Sequence, residues 1–366
     1  MSAALVRAGA GFAAIALAFA LSACGGDLLP APEGPTGYLV ISNAGGNSLE
    51  VLARRGRASD LERLHSTGLG GNVLPCGVVL GPDGRLYVAD RAGARVLAYE
   101  PDEVVAGGRV SPAATISSSA LEGACGLAFD AEGRLWVADQ RGSTFASPAA
   151  NALHRFDAVA GSIGAVEVTP ARTLLLADDP VDLMPSWFVA NLYVDAEGAL
   201  WFSDVWRWTV SRVSDPGSFP PGVSDDVIPD LQFDSRDPDD PSSSLMHNPQ
   251  AMLRDAEGNL YVASAGQPWV LRYDADSLSG GRVPGLEPSA VLELPLALQR
   301  SGDGPVALAL DDAGALWVAA NADQRLFRVP RPGRRDVTPV PSVITRWGDG
   351  GLLLGSTAVF LEVPSR

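Results

Sequence analysis

One pattern of apolar and polar positions occurs six times along the chain. Each copy starts with glycine, continues with alternating aliphatic and aromatic residues, and ends with small or polar residues. Alternation with a period of two over such a short segment predicts a β-strand with one buried face. The six copies are Gly37–Asn43, Gly84–Asp90, Gly133–Asp139, Gly198–Asp204, Gly258–Ser264 and Gly314–Ala320.

A turn sequence stands directly before the glycine in the last five copies. The tetrapeptide at 130–133 is Asp-Ala-Glu-Gly, and the same residues occur again at 195–198 and 255–258. The carboxylate can accept N–H groups of a tight turn, and glycine adopts the positive φ that reverses the chain. A further apolar segment, such as Gly126–Phe129, precedes each turn, so these copies predict β-hairpins.

Two more strands follow each hairpin. After the third copy they are predicted over Leu153–Phe156 and Thr173–Leu176. Four antiparallel strands in each repeat of about 50 to 60 residues are typical of a propeller blade, and no long segment shows a helical period. We therefore predict an all-β chain that forms a six-bladed β-propeller, with four antiparallel strands per blade, over residues 37–366.

The first copy lacks the strand that begins each of the other hairpins. At the C-terminus, Gly355–Leu361 has the same pattern as Gly304–Leu310, which begins the sixth hairpin. We therefore predict that the C-terminal strand joins the first blade. Such pairing closes the ring and removes open sheet edges.

The first 23 residues have the features of an export signal. Arg7 is their only charged residue, and the apolar run Ala8–Leu21 has the length of a signal-peptide core but is short for a membrane span. The run leads into Leu-Ser-Ala-Cys at 21–24, which resembles a bacterial lipobox. An ordinary signal peptide followed by an incidental cysteine is the alternative.

The lipobox resemblance implies cleavage before Cys24, acylation of its sulfur with palmitate-type chains, and a Gly- and Pro-rich tether over residues 24–36. We therefore expect a lipid-anchored protein of the bacterial cell envelope that meets the membrane through its anchor only. Gly25 stands where aspartate retains enteric lipoproteins in the inner membrane, so it favours the outer membrane.

The charge of the chain narrows the possible functions. The formal net charge is −16, and all 27 basic residues are arginine because the sequence contains no lysine. A lysine-dependent phosphate loop, a Schiff base and a lysine general base are therefore excluded. Binding to nucleic acid is not expected, because a surface of this charge repels a phosphate backbone.

Two cysteines remain once Cys24 is assigned to lipid. Cys76 and Cys125 occupy equivalent positions in the second and third repeats. They can form a disulfide between neighbouring blades, a thiolate pair for a metal ion, or a reactive thiol. Export to a compartment that permits disulfides favours the first alternative.

The repeats resemble NHL repeats and the related six-bladed propellers of the gluconolactonase, senescence-marker-protein and strictosidine-synthase-like group. The resemblance covers residues 37–366. It implies a functional mouth on the face where the inner strands begin, the second strands end and the connections between blades lie. One propeller fold supports many chemistries, so the resemblance specifies the fold much better than the function.

In gluconolactonase-like propellers, Asn and Asp side chains near the start of the inner strands bind a metal ion. The corresponding positions of this chain carry no carboxylate. They are Cys76, Cys125, Ala190, Gln250, Val306 and, through the closing strand, Thr357. A hard cation needs several oxygen ligands, so no metal or other cofactor is expected, and a Ca²⁺ site is the alternative.

Five side chains near the predicted mouth are candidates for ligand binding. His247, Asn248 and Gln250 stand at the start of the fifth inner strand, and Trp187 and Trp206 flank the fourth hairpin. Aromatic side chains at a mouth can stack on sugars or peptides, or they can pack connections onto the blades.

Acidic residues near the mouth have structural interpretations. Asp90, Asp139 and Asp204 end successive second strands, and each is expected to cap its own turn rather than bind metal. The acidic, Pro-rich segment 215–248 is expected to form a solvated loop over the mouth between the fourth and fifth blades.

Two functional hypotheses follow. The first is an exported cell-envelope lipoprotein whose propeller binds a protein, a small molecule or a glycan and catalyses nothing. The alternative is an exported hydrolase or lyase, similar to gluconolactonases or streptogramin lyases, with His247, Asn248 and Gln250 near the reacting group. Nothing in the sequence identifies the ligand.

Overall fold

The computed structural model describes residues 35, 37–55, 60–140, 152–177, 187–236, 244–296, 298, 303–321, 325–330, 332, 342–346 and 354–362. Within these residues the chain forms six small β-sheets that are arranged in a ring. Helical structure there is limited to α1 (Pro101–Ala106) and a 3-10 turn at Ala275–Ser277. The predicted all-β, six-bladed β-propeller is confirmed.

The strands are short. The first half of the described chain contains β1 (Gly37–Asn43), β2 (Ser48–Arg55), β3 (Asp60–Leu69), β4 (Pro75–Leu80), β5 (Leu86–Asp90), β6 (Arg95–Tyr99), β7 (Arg109–Val110), β8 (Ala114–Ser117), β9 (Ala124–Phe129), β10 (Leu135–Asp139), β11 (Ala152–Phe156), β12 (Gly164–Glu167) and β13 (Arg172–Leu176). The second half contains β14 (Val189–Val194), β15 (Leu200–Asp204), β16 (Thr209–Val213), β17 (Gly222–Val227), β18 (Leu231–Phe233), β19 (Pro249–Arg254), β20 (Leu260–Ser264), β21 (Trp269–Tyr273), β22 (Gly281–Val283), β23 (Ala290–Glu293), β24 (Pro305–Leu310), β25 (Leu316–Ala320), β26 (Arg325–Val329), β27 (Ser342–Arg346) and β28 (Leu354–Glu362).

Each blade contains four antiparallel strands, and their order within the sheet leads outward from the axis. In the third blade the order is β9, β10, β11 and β13. The inner strands around the axis are β28, β4, β9, β14, β19 and β24. The first blade takes its inner strand from the C-terminus: β28 pairs antiparallel with β1, and Val359 stands opposite Val40. The predicted closure of the ring is confirmed.

The turns between inner and second strands have the predicted geometry. Gly198 has a φ of +86°, and its N–H donates to the carbonyl oxygen of Asp195 at 3.0 Å. The Asp195 carboxylate accepts the indole N–H of Trp201 at 2.7 Å, and Asp311 accepts that of Trp317 at 3.0 Å. In these two blades the repeated acid therefore holds the turn and also satisfies a buried indole, so the side-chain pair fixes the hairpin register.

Four blades carry a fifth strand that the repeat pattern did not predict. It comes from the connection between the third and fourth strands of the next blade, and it pairs in parallel with the outer strand. The pairs are β3 with β7, β8 with β12, β13 with β17, and β18 with β22. The predicted count of four strands per blade is therefore too low for these blades.

The acidic segment 215–248 is not a single loop. Gly222–Val227 forms β17 on the third blade, and Leu231–Phe233 forms the outer strand β18 of the fourth blade. Asp230, between them, accepts a hydrogen bond from the Arg212 guanidinium at 2.7 Å. The expectation of one solvated loop over the mouth is therefore wrong, because the segment supplies strands to two different sheets. Residues 237–243 lie outside the described residues.

The core lies between neighbouring blades. Trp136, Trp201 and Trp317 occupy equivalent positions on second strands, and all three are buried. Removal of these large rings and their aliphatic neighbours from water supplies the main driving force for packing blade against blade. No helix of the described residues is long and apolar enough to cross a membrane.

Candidate functional site

The inner strands change register where they begin, at the mouth. In the fifth blade, Pro249 stands opposite Ser264 and Ala251 stands opposite Ala263, so Gln250 is an extra residue in a β-bulge. The equivalent residues of the fourth and sixth blades, Ala190 and Val306, lie in the same register shift. A bulge redirects side chains at the rim of a barrel-like sheet, so these equivalent positions form a ring at the mouth.

Cys76 and Cys125 form a disulfide, with Cα atoms 4.9 Å apart. The disulfide predicted from the sequence is thus present. It links β4 to β9, which belong to different sheets, and so joins the second and third blades at the mouth ring. Gly77 permits this close approach, because a Cβ atom at that position would clash with the carbonyl oxygen of Cys125. The bond removes both thiols from any catalytic or metal-binding role.

Asp204 is buried at the end of β15 and organises the turn that follows it. Its Oδ1 accepts the backbone N–H groups of Trp206 at 2.8 Å and Arg207 at 3.0 Å. Burial raises the pKa of Asp204 to about 6. The predicted capping role is confirmed here, and through it Asp204 sets the position of two tryptophans on the mouth.

The equivalent acids also hold the connections that enter their blades. Asp90 accepts the N–H of Gly93 in its own turn at 3.1 Å and that of Leu74, before β4, at 3.0 Å. Asp139 accepts the N–H of Gly123, before β9, at 2.6 Å. Residues 141–151 of the turn after Asp139 lie outside the described residues. Each of these carboxylates is thus used by backbone donors, as a structural role requires.

Trp206 packs against Phe188, in the connection that leads into the fourth blade. Its ring centroid lies 5.1 Å from that of Phe188, which directly precedes β14. The guanidinium of Arg91, from the second blade, lies 5.4 Å from the centre of the same phenyl ring. Arg91, Phe188 and Trp206 therefore form one continuous contact from the second blade to the fourth. All three side chains are partly exposed.

Trp208, on the same turn, packs against His247. The ring centroids are 3.8 Å apart, and the rings are inclined by 44°. The backbone N–H of His247 donates to the hydroxyl of Ser264 at 2.8 Å, and its carbonyl accepts the N–H of Gly266 at 2.8 Å. Burial lowers the pKa of His247, so its imidazole is neutral at neutral pH.

The remaining candidates divide into two groups. Asn248 and Gln250 lie together, since the Gln250 amide donates to Oδ1 of Asn248 at 2.8 Å. Trp187 is only 3% exposed, and its indole N–H donates to the carbonyl of Ala177 at 2.9 Å. The structure therefore places His247, Trp206, Asn248 and Gln250 at the mouth, whereas Trp187 packs beneath it.

We use the term aromatic arc for the rings of Phe188, Trp206, Trp208 and His247. Trp206 and His247 are among the predicted site residues. Trp208 belongs to the same group of tryptophans in the sequence but was not selected, and Phe188 was not predicted. A signal for Trp208 was available, because the equivalent turn positions carry Asn47 and Ala94. A tryptophan at the last position of a tight turn was therefore the unusual choice.

The axis below the mouth ring contains a mainly aliphatic cavity of about 360 Å³. All six inner strands contribute to its walls. The contributing residues include Val78, Leu127, Leu192, Met252, Leu308 and Val359. Within the described residues, no group of three or more His, Cys, Asp or Glu side chains lies close enough together to hold a metal ion.

Several solved structures have a similar fold. A protein of unknown function from Bacteroides caccae aligns with a TM-score of 0.53 at 10% identity, covering 90% of this chain and 99% of that one. A chain from a nidogen–laminin complex aligns with a TM-score of 0.53 at 13% identity, covering 89% and 98%. A candidate 6-phosphogluconolactonase from Bacteroides fragilis aligns with a TM-score of 0.50 at 10% identity, covering 85% and 82%.

No protein-family model and no curated protein matches the amino-acid sequence. The structural likenesses have sequence identities of 10–13%. Function depends on the residues of a site rather than on the fold that holds it. The comparisons therefore show the fold alone, and the six blades are seen in the sheet topology of the structure.

Proposed function

We propose that the chain is an exported cell-envelope lipoprotein whose NHL-type propeller binds a ligand or a protein at its mouth and catalyses no reaction. One observation carries the proposal: the aromatic arc of four partly exposed rings lies on the mouth, next to the amide pair Asn248–Gln250. Aromatic faces combined with a few polar groups are characteristic of binding sites.

The chemistry of the mouth ring supports binding rather than turnover. The described side chains at its equivalent positions are a disulfide, an alanine, a glutamine and a valine. None of them is a nucleophile or a general base at neutral pH. The nearby carboxylates of Asp90, Asp139 and Asp204 accept backbone N–H groups, which occupies them structurally.

A gluconolactonase-like or lyase-like enzyme remains the second candidate because of His247. Its neutral imidazole lies at the mouth, where a general base would be needed. The full-length protein, purified in detergent, is tested on a panel of lactones and esters with and without Ca²⁺. We expect no turnover above the uncatalysed rate. Hydrolysis or elimination that disappears in His247→Gln would replace the binding hypothesis with the enzymatic one.

The location of the protein is a separate part of the proposal and rests on Cys24, which lies outside the described residues. Metabolic labelling with an alkyne-bearing palmitate analogue and membrane fractionation test it. We expect label on the wild-type protein, sedimentation with outer membranes, and loss of both in Cys24→Ala. Soluble, unlabelled wild-type protein would show that the signal is an ordinary one.

A further inference from the structure

We propose that the mouth binds a neutral sugar unit, which stacks on the aromatic arc and accepts a hydrogen bond from the Nε2–H group of His247. The inference rests on the proposed binding function and adds the class of ligand and the role of one residue. Three features of the described residues support it: the fixed position of the imidazole, the strained backbone of Trp208, and the uncharged polar groups beside them.

Two neighbours enclose the imidazole of His247. Trp208 covers one side, with ring centroids 3.8 Å apart. Gly266 lies against Nδ1, where a Cβ atom would clash with that nitrogen. Backbone bonds to Ser264 and Gly266 fix the residue itself. Because the side chain has no room to turn, the two ring nitrogens have distinct surroundings.

Those surroundings select the tautomer. Nδ1 is buried against Gly266 and has no hydrogen-bond partner among the described residues. A buried N–H without an acceptor is rarer and less favourable than an unused lone pair. The proton of the neutral ring therefore sits on Nε2, the nitrogen that is not enclosed. His247 then presents a donor to the mouth, whereas a general base would have to present a lone pair there.

Trp208 adopts a conformation that an aromatic residue rarely takes. Its φ is +54°, in the left-handed region that favours glycine and asparagine. The equivalent turn residues with positive φ are Asn47 and Ala94. A small or Asx residue therefore satisfies this turn at lower cost. Strain retained by a bulky side chain points to a function of that side chain, here the indole face on the arc.

The polar side chains beside the Trp208–His247 end of the arc carry no charge, whereas the Arg91 guanidinium lies at the other end, against Phe188. Gln250 and Asn248 together offer amide donors and acceptors, and His247 adds one N–H donor. The chain as a whole has a net charge of −16, which disfavours polyanionic ligands. A neutral sugar unit matches this set, because its ring stacks on aromatic faces and its hydroxyls accept and donate hydrogen bonds.

The experiment uses the full-length protein in detergent. It is applied to an array of neutral oligosaccharides and to a peptide array, and the strongest neutral oligosaccharide is then titrated by calorimetry. Trp208→Ala and His247→Leu are expected to weaken binding by about tenfold or more. His247→Gln, whose amide N–H can replace Nε2–H, is expected to stay within about threefold of wild type. Ile163→Ala, at an exposed site away from the mouth, is the matched control.

The outcomes separate the ligand class from the binding function. Binding of peptides alone, lost in Trp208→Ala, would refute the sugar while leaving the binding scaffold in place. Unchanged sugar binding in a folded Trp208→Ala variant would refute the site. Equal losses in His247→Gln and His247→Leu would refute the donor role. Turnover of a lactone or ester that His247→Gln abolishes would refute the binding function as well.

Discussion

Removal of the Cys76–Cys125 bond should lower the stability of the whole propeller. The bond joins two inner strands that belong to different sheets. We therefore expect it to stabilise the fold mainly by restricting the unfolded chain, and not by fixing the structure of either blade. The perturbation is the double replacement Cys76→Ala and Cys125→Ala. It leaves Cys24, the cysteine that is predicted to carry lipid, unchanged.

The expected magnitude follows from the length of chain that the bond closes. The two cysteines are 49 residues apart, and loop-closure entropy then predicts a loss of about 4 kcal/mol in the free energy of unfolding at 25 °C. Loss of the buried sulfur of Cys125 adds to this value, because that side chain is 1% exposed. Residual structure in the unfolded chain reduces it.

The assay is equilibrium unfolding in urea, followed by tryptophan fluorescence. The wild-type protein and the double variant are measured side by side, each with and without a reductant. Without reductant, the midpoint of the variant should be lower. With reductant, the midpoint of the wild type should move most of the way to that of the variant, because reduction removes the bond but keeps the two sulfur atoms. The part of the difference that reduction removes measures the cross-link, and the remainder measures the packing of the side chains.

Two results would refute this reasoning. A difference below about 1 kcal/mol between oxidised wild type and variant would show that the bond does not constrain the unfolded chain as calculated. A difference that persists unchanged after reduction would show that packing of the two sulfur atoms, and not the cross-link, stabilises the ring.

Other predictions concern single residues. Asp204 has a pKa of about 6 in the folded protein and 3.8 in the unfolded chain, so its contribution to stability rises as the pH falls from about 7 to 4. The rise in the free energy of unfolding is about 3 kcal/mol. Urea unfolding curves measured at pH 7 and pH 4 should show this rise for the wild type and not for Asp204→Asn. Gly266→Ala should displace the His247 imidazole and weaken ligand binding by about tenfold while the circular dichroism spectrum stays unchanged, and a wild-type affinity would contradict the tight fit around the ring. Gly198→Ala should cost about 1–2 kcal/mol in thermal unfolding, because the added Cβ meets no atom within 4 Å and only the φ of +86° opposes it; a neutral result would mean that the turn can change its backbone conformation.

The second strands and the ring closure were predictable because each depends on local pattern. The predicted segment Gly133–Asp139 contains β10, and the predicted match between the two ends of the repeat array places β28 beside β1. Alternation of apolar and polar residues indicates the buried face of a strand, and a turn glycine indicates where the chain reverses direction. Both signals can be read from a short segment of the sequence without knowledge of which residues lie beside it in the fold.

The fifth strands and the aromatic arc were not predictable in this way. Strand β12 is mostly exposed and lacks apolar alternation, and it is a strand only because the edge of β8 lies beside it. The contact between Phe188 and Trp206 depends on the path of a connection across the mouth, which the repeat pattern does not encode. Parallel pairing and ring contacts of this kind are set by tertiary structure.

In four blades, one strand of the sheet comes from the following sequence repeat. A sequence repeat and a complete sheet therefore do not contain the same residues. Excision of the second repeat as a contiguous stretch would also take β7, and with it the edge protection of the first blade. The same excision would remove β8, the partner of β12, so loss of this one repeat breaks a parallel pairing on each side of it. Blade number is therefore expected to be harder to change here than in propellers whose sheets are self-contained.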